Sequence, residues 1–240
     1  MKLMFGPAGL GGIKEAVSNL EYYKSLGLTA CEIAFTYGAY IKEKKDAENI
    51  GSAAKKFGIK LSIHAPYWIN LNSNEKKKIE ESKKRILDCC RIGEYLGASV
   101  VVFHPGYYGK MDKELTYQNI KKAIIEMNKD IKKHNWKIKL APETSGKFNI
   151  FGSIDEIARL VKETGIAYCI DFAHLRALAQ KNKIDYKGIL DKISSNYLHI
   201  HFSGIIYTDK GEKQHIQTDK YQLKELIENL KRYSKSKEIT

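Results

Sequence analysis

The sequence lacks long apolar runs and paired cysteines, and each absence narrows the class of protein. No run reaches the ~18 apolar residues that a membrane-spanning helix needs, and no signal peptide precedes the first apolar segment. The four cysteines show neither CxxC spacing nor a disulfide framework, and Cys31 and Cys169 lie within apolar runs typical of buried strands. We therefore expect a cytoplasmic protein with buried, reduced thiols.

Two common catalytic signatures are missing as well. The early FGPAGLGG segment has neither the GxGxxG spacing of a dinucleotide-binding loop nor the lysine of a P-loop. The sequence also has no G-x-S-x-G motif of the kind that presents a serine nucleophile for acyl transfer. These absences argue against nucleotide-dependent and serine-hydrolase chemistry.

Acidic residues are too few to balance the basic ones. Lys and Arg number 41 against 28 Asp and Glu, which gives a net charge of +13. Such an excess fits a polyanionic partner. The alternative is that the lysines cover solvated helix faces, as in Lys- and Glu-rich proteins from hot environments. The lysine run at 76–78 falls on a predicted helix and favours this alternative locally, so charge alone leaves both interpretations open.

Apolar, β-branched runs alternate with amphipathic stretches along the whole chain. Parallel strands joined by helical crossovers give this alternation, and no Pro- or Ser-rich linker interrupts it. The predicted fold class is α/β, a TIM (β/α)8-type barrel formed by one domain over 1–240. Strands are predicted near 2–5, 30–35, 60–63, 99–103, 137–141, 166–170 and 196–202. Helices are predicted near 13–26, 44–57, 74–96, 116–134, 153–164, 185–193 and 220–233, with Ser153 and Thr116 as start signals.

The last segment, KSKEIT, looks like the beginning of an eighth strand. Seven βα units precede it, so we expect a truncated eighth strand and a barrel that is open at two sheet edges. Either the natural protein continues past Thr240 or a partner covers these edges.

Residues of metal-ligand type stand at the ends of the apolar runs. In a (β/α) barrel the carboxyl ends of the strands converge on one face, where the chemistry is carried out. Side chains far apart in sequence are therefore expected to meet there. Imidazoles mixed with carboxylates suit zinc, manganese or iron. The residues are His64, His104, Glu143, Asp171, His174, His201 and His215.

Each of these residues has a structural alternative. Taken alone, Glu143 fits a helix cap or a loop salt bridge, and Asp171 fits the N-cap of a following helix. A hydrogen-bonded structural role is also the commoner fate of a single histidine. Seven such residues at strand ends are much harder to explain in that way. His199 faces the same side of its strand as His201 but lies deeper, so we predict a core or supporting role for it.

At these residues the chain resembles the endonuclease IV family of apurinic/apyrimidinic endonucleases, particularly its archaeal branch. The motifs HAPYWINL, FHPG, PETSG, CIDFAH and IHFSG follow one another in the family's order and span most of the chain. The resemblance implies a TIM barrel of the xylose isomerase-like superfamily. It also implies up to three zinc ions, with manganese or iron as alternatives, and cleavage of DNA 5′ of abasic sites in base excision repair. A nucleoid-associated monomer with DNA as its partner is the matching expectation.

Carried over by motif, the resemblance gives each residue a role. His64 and His104 resemble ligands of one ion, and Glu143 resembles the catalytic carboxylate that bridges it to a second. Asp171 and His201 resemble ligands of the second ion, and His174 and His215 resemble ligands of a third. Tyr67 and Trp68 match the loop that penetrates DNA beside the lesion, although they could instead seal the barrel rim.

Three departures from the family pattern have consequences. The third-ion motif Asp-x-His is replaced by EKQH, which leaves Glu212 as a tentative ligand beside His215. A DNA-inserting Arg-Gln pair has no counterpart, because Tyr40 and Ile41 stand in its place. The sequence ends before a glutamate that the family carries on its eighth strand. These differences concern the third ion, the affinity for lesions and the second ion, respectively.

Two other functions stay open at this stage. A sugar isomerase or epimerase of the same superfamily would use one or two ions in a closed pocket. A barrel with a degenerate site would bind DNA without cutting it. The histidines beyond a single-ion set and the charge of +13 favour the nuclease.

Overall fold

The computed structural model describes residues 1–193 and 195–240. The strands are β1 (Lys2–Leu3), β2 (Ala30–Ala34), β3 (Lys60–His64), β4 (Val100–Phe103), β5 (Lys139–Pro142), β6 (Cys169–Asp171), β7 (Tyr197–His201), β8 (Gly204–Thr208), β9 (Gly211–Ile216) and β10 (Glu238–Ile239). The helices are α1 (Ala16–Ser25), α2 (Lys44–Phe57), α3 (Lys76–Leu96), α4 (Lys113–Lys133), α5 (Ile154–Thr164), α6 (Phe172–Ala179), α7 (Tyr186–Lys192) and α8 (Lys220–Tyr233).

Eight short parallel strands form the inner layer. Their hydrogen-bonded orders are β1-β10-β7-β6 and β2-β3-β4-β5. Parallel bridges join the two groups at Ala8↔Glu32 and at Glu143↔Cys169, so the strands run in a closed circle. Near-continuous apolar runs such as VVVF are buried on both faces, as expected where helices cover a parallel sheet. The predicted TIM barrel is confirmed.

The eighth strand is as short as expected, but the open edges were a wrong expectation. Leu3 pairs with Ile239 on one side, and Ile239 pairs with Leu198 on the other. The backbone N–H of Thr240 adds a hydrogen bond of 3.0 Å to the carbonyl of Leu198. Two residues are therefore enough to continue the hydrogen-bonded ladder and close the barrel, and Ile239 is buried in its core.

Helix ends follow the local sequence, with one correction. Ser153 caps α5 in a reciprocal capping box with Glu156, as predicted. The predicted start at Thr116 was wrong, because the Asp112 carboxylate accepts from the amides of Glu114 and Leu115 and starts α4 three residues earlier. Thr116 is instead buried within α4.

Two elements between β6 and α8 were not predicted. Helix α6 follows β6 without a break, and β8 and β9 form an antiparallel hairpin between β7 and α8. All four cysteines are buried free thiols, as expected for Cys31 and Cys169. Among the described residues, none of the helices is both long and apolar enough to cross a bilayer.

Candidate metal centre

The carboxyl ends of five successive strands place ligand-type side chains around one cavity of about 1040 Å³. His64 ends β3, Asp171 ends β6 and His201 ends β7, while His104 and Glu143 directly follow β4 and β5. His174 joins them from the first turn of α6, and His215 joins them from β9 of the hairpin. The structure therefore brings together all seven residues singled out from the sequence. Their roles as ligands stay a prediction.

Glu143 lies at the centre of these ligand-type side chains. Its side chain is only 1% exposed. One carboxylate oxygen, Oε2, lies 3.1 Å from His64 Nε2 and 3.3 Å from His104 Nε2, while Oε1 lies 2.8 Å from His201 Nδ1. Burial alone would raise the pKa of this carboxyl, but the surrounding histidines hold the pKa well below its usual range. Glu143 is therefore an ionised carboxylate whose oxygens face different imidazoles.

The first ligand group consists of His64, His104 and Glu143, whose candidate ligand atoms all lie within 4.8 Å of one another. His64 Nδ1 donates a hydrogen bond of 2.8 Å to the carbonyl of Ala65, and Nε2 lies 3.1 Å from Glu143 Oε2. Burial alone would lower the pKa of His64, but the contact with Glu143 raises this pKa above its usual value. Burial lowers the pKa of His104 to about 4, so this imidazole is neutral at pH 7. His104 thus presents the unprotonated nitrogen that metal ligation requires, and an ion bound at His64 would take the place of its Nε2 proton.

The second group consists of Glu143, Asp171 and His201. Asp171 also caps α6, because its Oδ1 accepts a hydrogen bond of 2.8 Å from the amide of His174. The helix-cap alternative raised for Asp171 is therefore correct, yet it does not exclude the ligand role. A carboxylate has two oxygens, and Oδ2 makes no hydrogen bond among the described contacts.

The third group joins the barrel to the β8–β9 hairpin. His174 Nε2 lies 3.1 Å from His215 Nε2 and 3.4 Å from Glu212 Oε2. His174 Nδ1 donates to the carbonyl of Thr144 at 2.8 Å, which leaves Nε2 to face His215 and Glu212. Two ligands of a tetrahedral ion at 2.0–2.1 Å stand roughly 3.3 Å apart, and these separations are close to that value. Glu212, the tentative ligand, is thus placed where the third ion would need it.

The hairpin is held in this position by backbone contacts. The amide of Glu212 donates to the carbonyl of Gly146 at 2.7 Å, and an antiparallel β-bridge pairs Lys147 with Gly211. Gly211 has φ of +98°, and a Cβ there would lie 2.2 Å from the Gly146 carbonyl oxygen. Glycine at this turn therefore permits the close approach that brings Glu212 and His215 to the barrel.

The donor set of the three groups is imidazole nitrogen and carboxylate oxygen. That chemistry fits zinc, and it also fits manganese or iron. Cys169 forms a further candidate group with His199 and His201, but burial raises the pKa of its thiol far above the usual range. A neutral thiol is a poor ligand, so Cys169 is best assigned to the core.

Tyr67 and Trp68 lie on the loop after β3, and both stand out from the surface. Their exposed fractions are 59% and 63%, and the ring of Tyr67 lies 6.2 Å from that of His64. Side chains this exposed leave most of their apolar area free for a partner. Of the two residues at the position of the missing Arg-Gln pair, Ile41 is fully buried, and the Tyr40 hydroxyl donates to the carbonyl of Gly11.

Sequence reasoning missed one buried carboxylate at the site. Glu32, in the middle of β2, contacts both His199 and His201. The sequence does contain a sign of this carboxylate, since Glu32 is the one charged residue in the apolar run ACEIAF. A charge inside a buried strand has to be paired.

A closed barrel of parallel strands with ligand-type side chains at the strand ends is a TIM barrel with a candidate metal site. The chain belongs to the xylose isomerase-like TIM barrel family, whose model matches residues 20–234. Uncharacterized protein MJ0133 of Methanocaldococcus jannaschii is 35% identical over 98% of this chain and 89% of its own length. Probable endonuclease 4 of Thermoplasma volcanium is 29% identical over 55% of this chain and 46% of its own length. The chain therefore spans about half the length of the endonuclease 4 relative.

Solved structures agree on the fold. Endonuclease IV from Thermus thermophilus superposes with a TM-score of 0.69 at 21% identity, covering 100% of this chain and 91% of that one. D-Psicose 3-epimerase from Clostridium cellulolyticum gives a TM-score of 0.70 at 15% identity, covering 100% and 83%. The similarity to probable endonuclease 4 confirms the resemblance to the endonuclease IV family that the motifs indicated. At these sequence identities, the similarity to solved structures shows only that the fold is shared.

Proposed function

We propose that this protein is a zinc-dependent phosphodiesterase that cleaves DNA 5′ of abasic sites in base excision repair. The observation that carries the proposal is the convergence of three ligand groups on one cavity, with the ionised Glu143 shared by two of them. The similarity to proteins named probable endonuclease 4 supports the choice of substrate. DNA as substrate would place the protein at the nucleoid.

The chain's own residues would supply the site. His64, His104 and Glu143 would hold one ion, and Asp171 and His201 would join Glu143 at a second. A third ion would be held by His174 and His215, which form a group with Asp171, and by Glu212, whose carboxylate lies 3.4 Å from His174 Nε2 and 3.6 Å from His215 Nε2. Such ions polarise a phosphate and lower the pKa of water. The buried Glu143 charge would balance the cluster and orient the attacking water.

DNA binding would rest on charge and on exposed aromatic rings. A net charge of +13 attracts the phosphate backbone, and Lys147 lines the cavity beside Ser145. Tyr67 and Trp68 would stack in the space left by the missing base. An abasic sugar has no base pair to break, so its extrusion is cheap.

The direct test uses zinc-loaded protein and a duplex that carries one tetrahydrofuran residue. We expect a single nick 5′ of the lesion, with a 3′-hydroxyl product, and no nick in the same duplex without the lesion. A fully metallated protein that leaves the lesion strand intact would refute the proposed function.

Replacement of Trp68 by alanine tests the aromatic contact. Loss of one stacked ring should weaken binding to abasic DNA by about 1 kcal/mol, roughly fivefold, while binding to intact duplex stays the same. Fluorescence anisotropy with both duplexes measures this difference. The matched control is Tyr22→Ala, which removes a 58% exposed ring from α1 on the outside of the barrel. Equal loss on both duplexes, together with a lowered melting temperature, would indicate a structural role for Trp68.

A sugar epimerase is the second candidate, because Glu143, Asp171 and His201 alone could hold a single ion. Epimerases are among the proteins that share the fold. Metal content separates the functions. We expect nearly three zinc ions per chain for the nuclease, one or two exchangeable ions for an epimerase, and substoichiometric metal for a DNA-binding barrel without activity.

A further inference from the structure

A carboxylate lies inside the barrel on the far side of the His201 ring from Glu143. Glu32, on β2, is 7% exposed and is surrounded by strand side chains. Its Oε2 accepts hydrogen bonds of 3.0 Å from Ser62 Oγ and 3.0 Å from His199 Nε2. Its Oε1 lies 2.9 Å from His201 Nε2. Both oxygens of this buried carboxylate therefore face a polar partner, as burial of a charge requires.

The His201 ring thus stands between two carboxylates. Nδ1 donates a hydrogen bond of 2.8 Å to Glu143 Oε1, and Nε2 lies 2.9 Å from Glu32 Oε1. The two nitrogens of an imidazole point away from each other, so only Nδ1 faces the group formed with Glu143 and Asp171. Glu32 lies behind the ring and cannot share an ion with Nδ1. The Nε2 contact is short but bent, and it is better described as a close charge–dipole contact than as an aligned hydrogen bond.

Neighbouring groups hold Glu32 in this place. The Tyr197 hydroxyl lies 3.0 Å from His199 Nδ1 and can donate to it, which leaves the proton of the His199 ring on Nε2 for Glu32. Ser62, on the adjacent strand β3, donates from the other side. When an ion takes the place of the Nδ1 proton, the remaining ring proton of His201 is on Nε2, and the Glu32 carboxylate is the acceptor that faces it.

We propose that Glu32 is a positioning residue that keeps the His201 proton on Nε2 and presents Nδ1 to the ion shared with Glu143 and Asp171. A carboxylate behind a ligating histidine fixes the ring and increases its basicity, and its loss typically weakens metal binding 10- to 100-fold. The inference rests on the metal occupancy included in the proposed function.

The test compares zinc affinities of the wild type and Glu32→Gln by chelator competition, without DNA. The amide keeps the shape of the side chain but removes its charge. We expect one of the ions to bind about 10-fold more weakly or worse, while the others keep their wild-type affinity. The matched control is Ser62→Ala, which removes one hydrogen bond to Glu32 and leaves the contact to His201. Its affinities should change by less than about threefold, well below the effect of losing the carboxylate.

A second readout reports on the tautomer directly. In zinc-loaded wild type, ¹⁵N NMR should show His201 protonated on Nε2, and Glu32→Gln should broaden or shift that signal. Unchanged affinities and an unchanged His201 signal in Glu32→Gln would overturn the inference, as would an equal loss of all ions caused by unfolding. If wild-type protein binds zinc but does not cut abasic DNA, only the proposed function fails, because neither readout uses DNA.

Discussion

Replacing Glu143 with glutamine is expected to abolish cleavage at an abasic site, with a rate at least about 10³-fold below that of the wild type. The reason is that one buried carboxylate faces His64, His104 and His201 at once, and an amide cannot supply its charge. DNA affinity should change little, since it comes mainly from phosphate contacts. Single-turnover cleavage and anisotropy on the same tetrahydrofuran duplex measure the two quantities separately.

The matched control is Glu126→Gln, which neutralises a half-exposed carboxylate on α4 that pairs with Lys83, away from the site. This variant should cut at the wild-type rate. Wild-type turnover by Glu143→Gln would refute the assignment of Glu143 as the catalytic carboxylate. A parallel loss of DNA binding would indicate that Glu143 acts through the architecture of the site.

Replacing Gly6 with alanine should have the largest effect on stability. A Cβ at this position would lie 1.7 Å from the carbonyl oxygen of Ala30, where β1 meets β2. The Phe5 carbonyl also accepts a hydrogen bond of 3.0 Å from the Ala30 amide, so the two segments cannot separate without breaking the closure of the barrel. We expect a loss of at least about 3 kcal/mol of the free energy of unfolding. For a domain of this size, that lowers the melting temperature by ~6–12 °C.

Gly12→Ala provides the control for the Gly6 experiment. The nearest atom to its added Cβ is the carboxylate end of the Glu15 side chain, which can rotate away. Its melting temperature should fall by no more than about 2 °C, as for an ordinary surface substitution. Equal melting temperatures for the two variants would show that the contact between β1 and β2 has room for a methyl group.

Most of the barrel could be predicted from apolar periodicity. The predicted runs at 30–35 and 60–63 became β2 and β3 with shifts of one residue at their ends, and α2 begins and ends where predicted. Buried parallel strands are continuous apolar runs, and the helices between them repeat with a period of 3.6 residues, so both patterns are strong. The closure of the barrel at the eighth strand was misjudged, because its two paired residues carry almost no periodic signal.

The hairpin and Glu32 were harder to predict for physical reasons. Most residues of β8 and β9 are exposed, so their sequence has no apolar face that would mark them as strands. Glu32 stands within an apolar strand, and its partners His199 and Ser62 are distant in sequence, so its pairing appears only when the strands are assembled. The strand-end residues could be found because parallel strands share one edge, whichever side chains surround them.

The attachment of the hairpin has a consequence for the dynamics of the molecule. Glu212 and His215 belong to a mostly exposed two-stranded unit, whereas His174 is buried in the barrel. Such a unit can open locally while the rest of the domain stays folded. An ion held across that junction binds only the closed form, and at 100 times its dissociation constant it would stabilise closure by about 2.7 kcal/mol. Amide hydrogen exchange along β9 would therefore slow roughly 100-fold on metal binding, so that the exchange rate of these amides would report the occupancy of the third group.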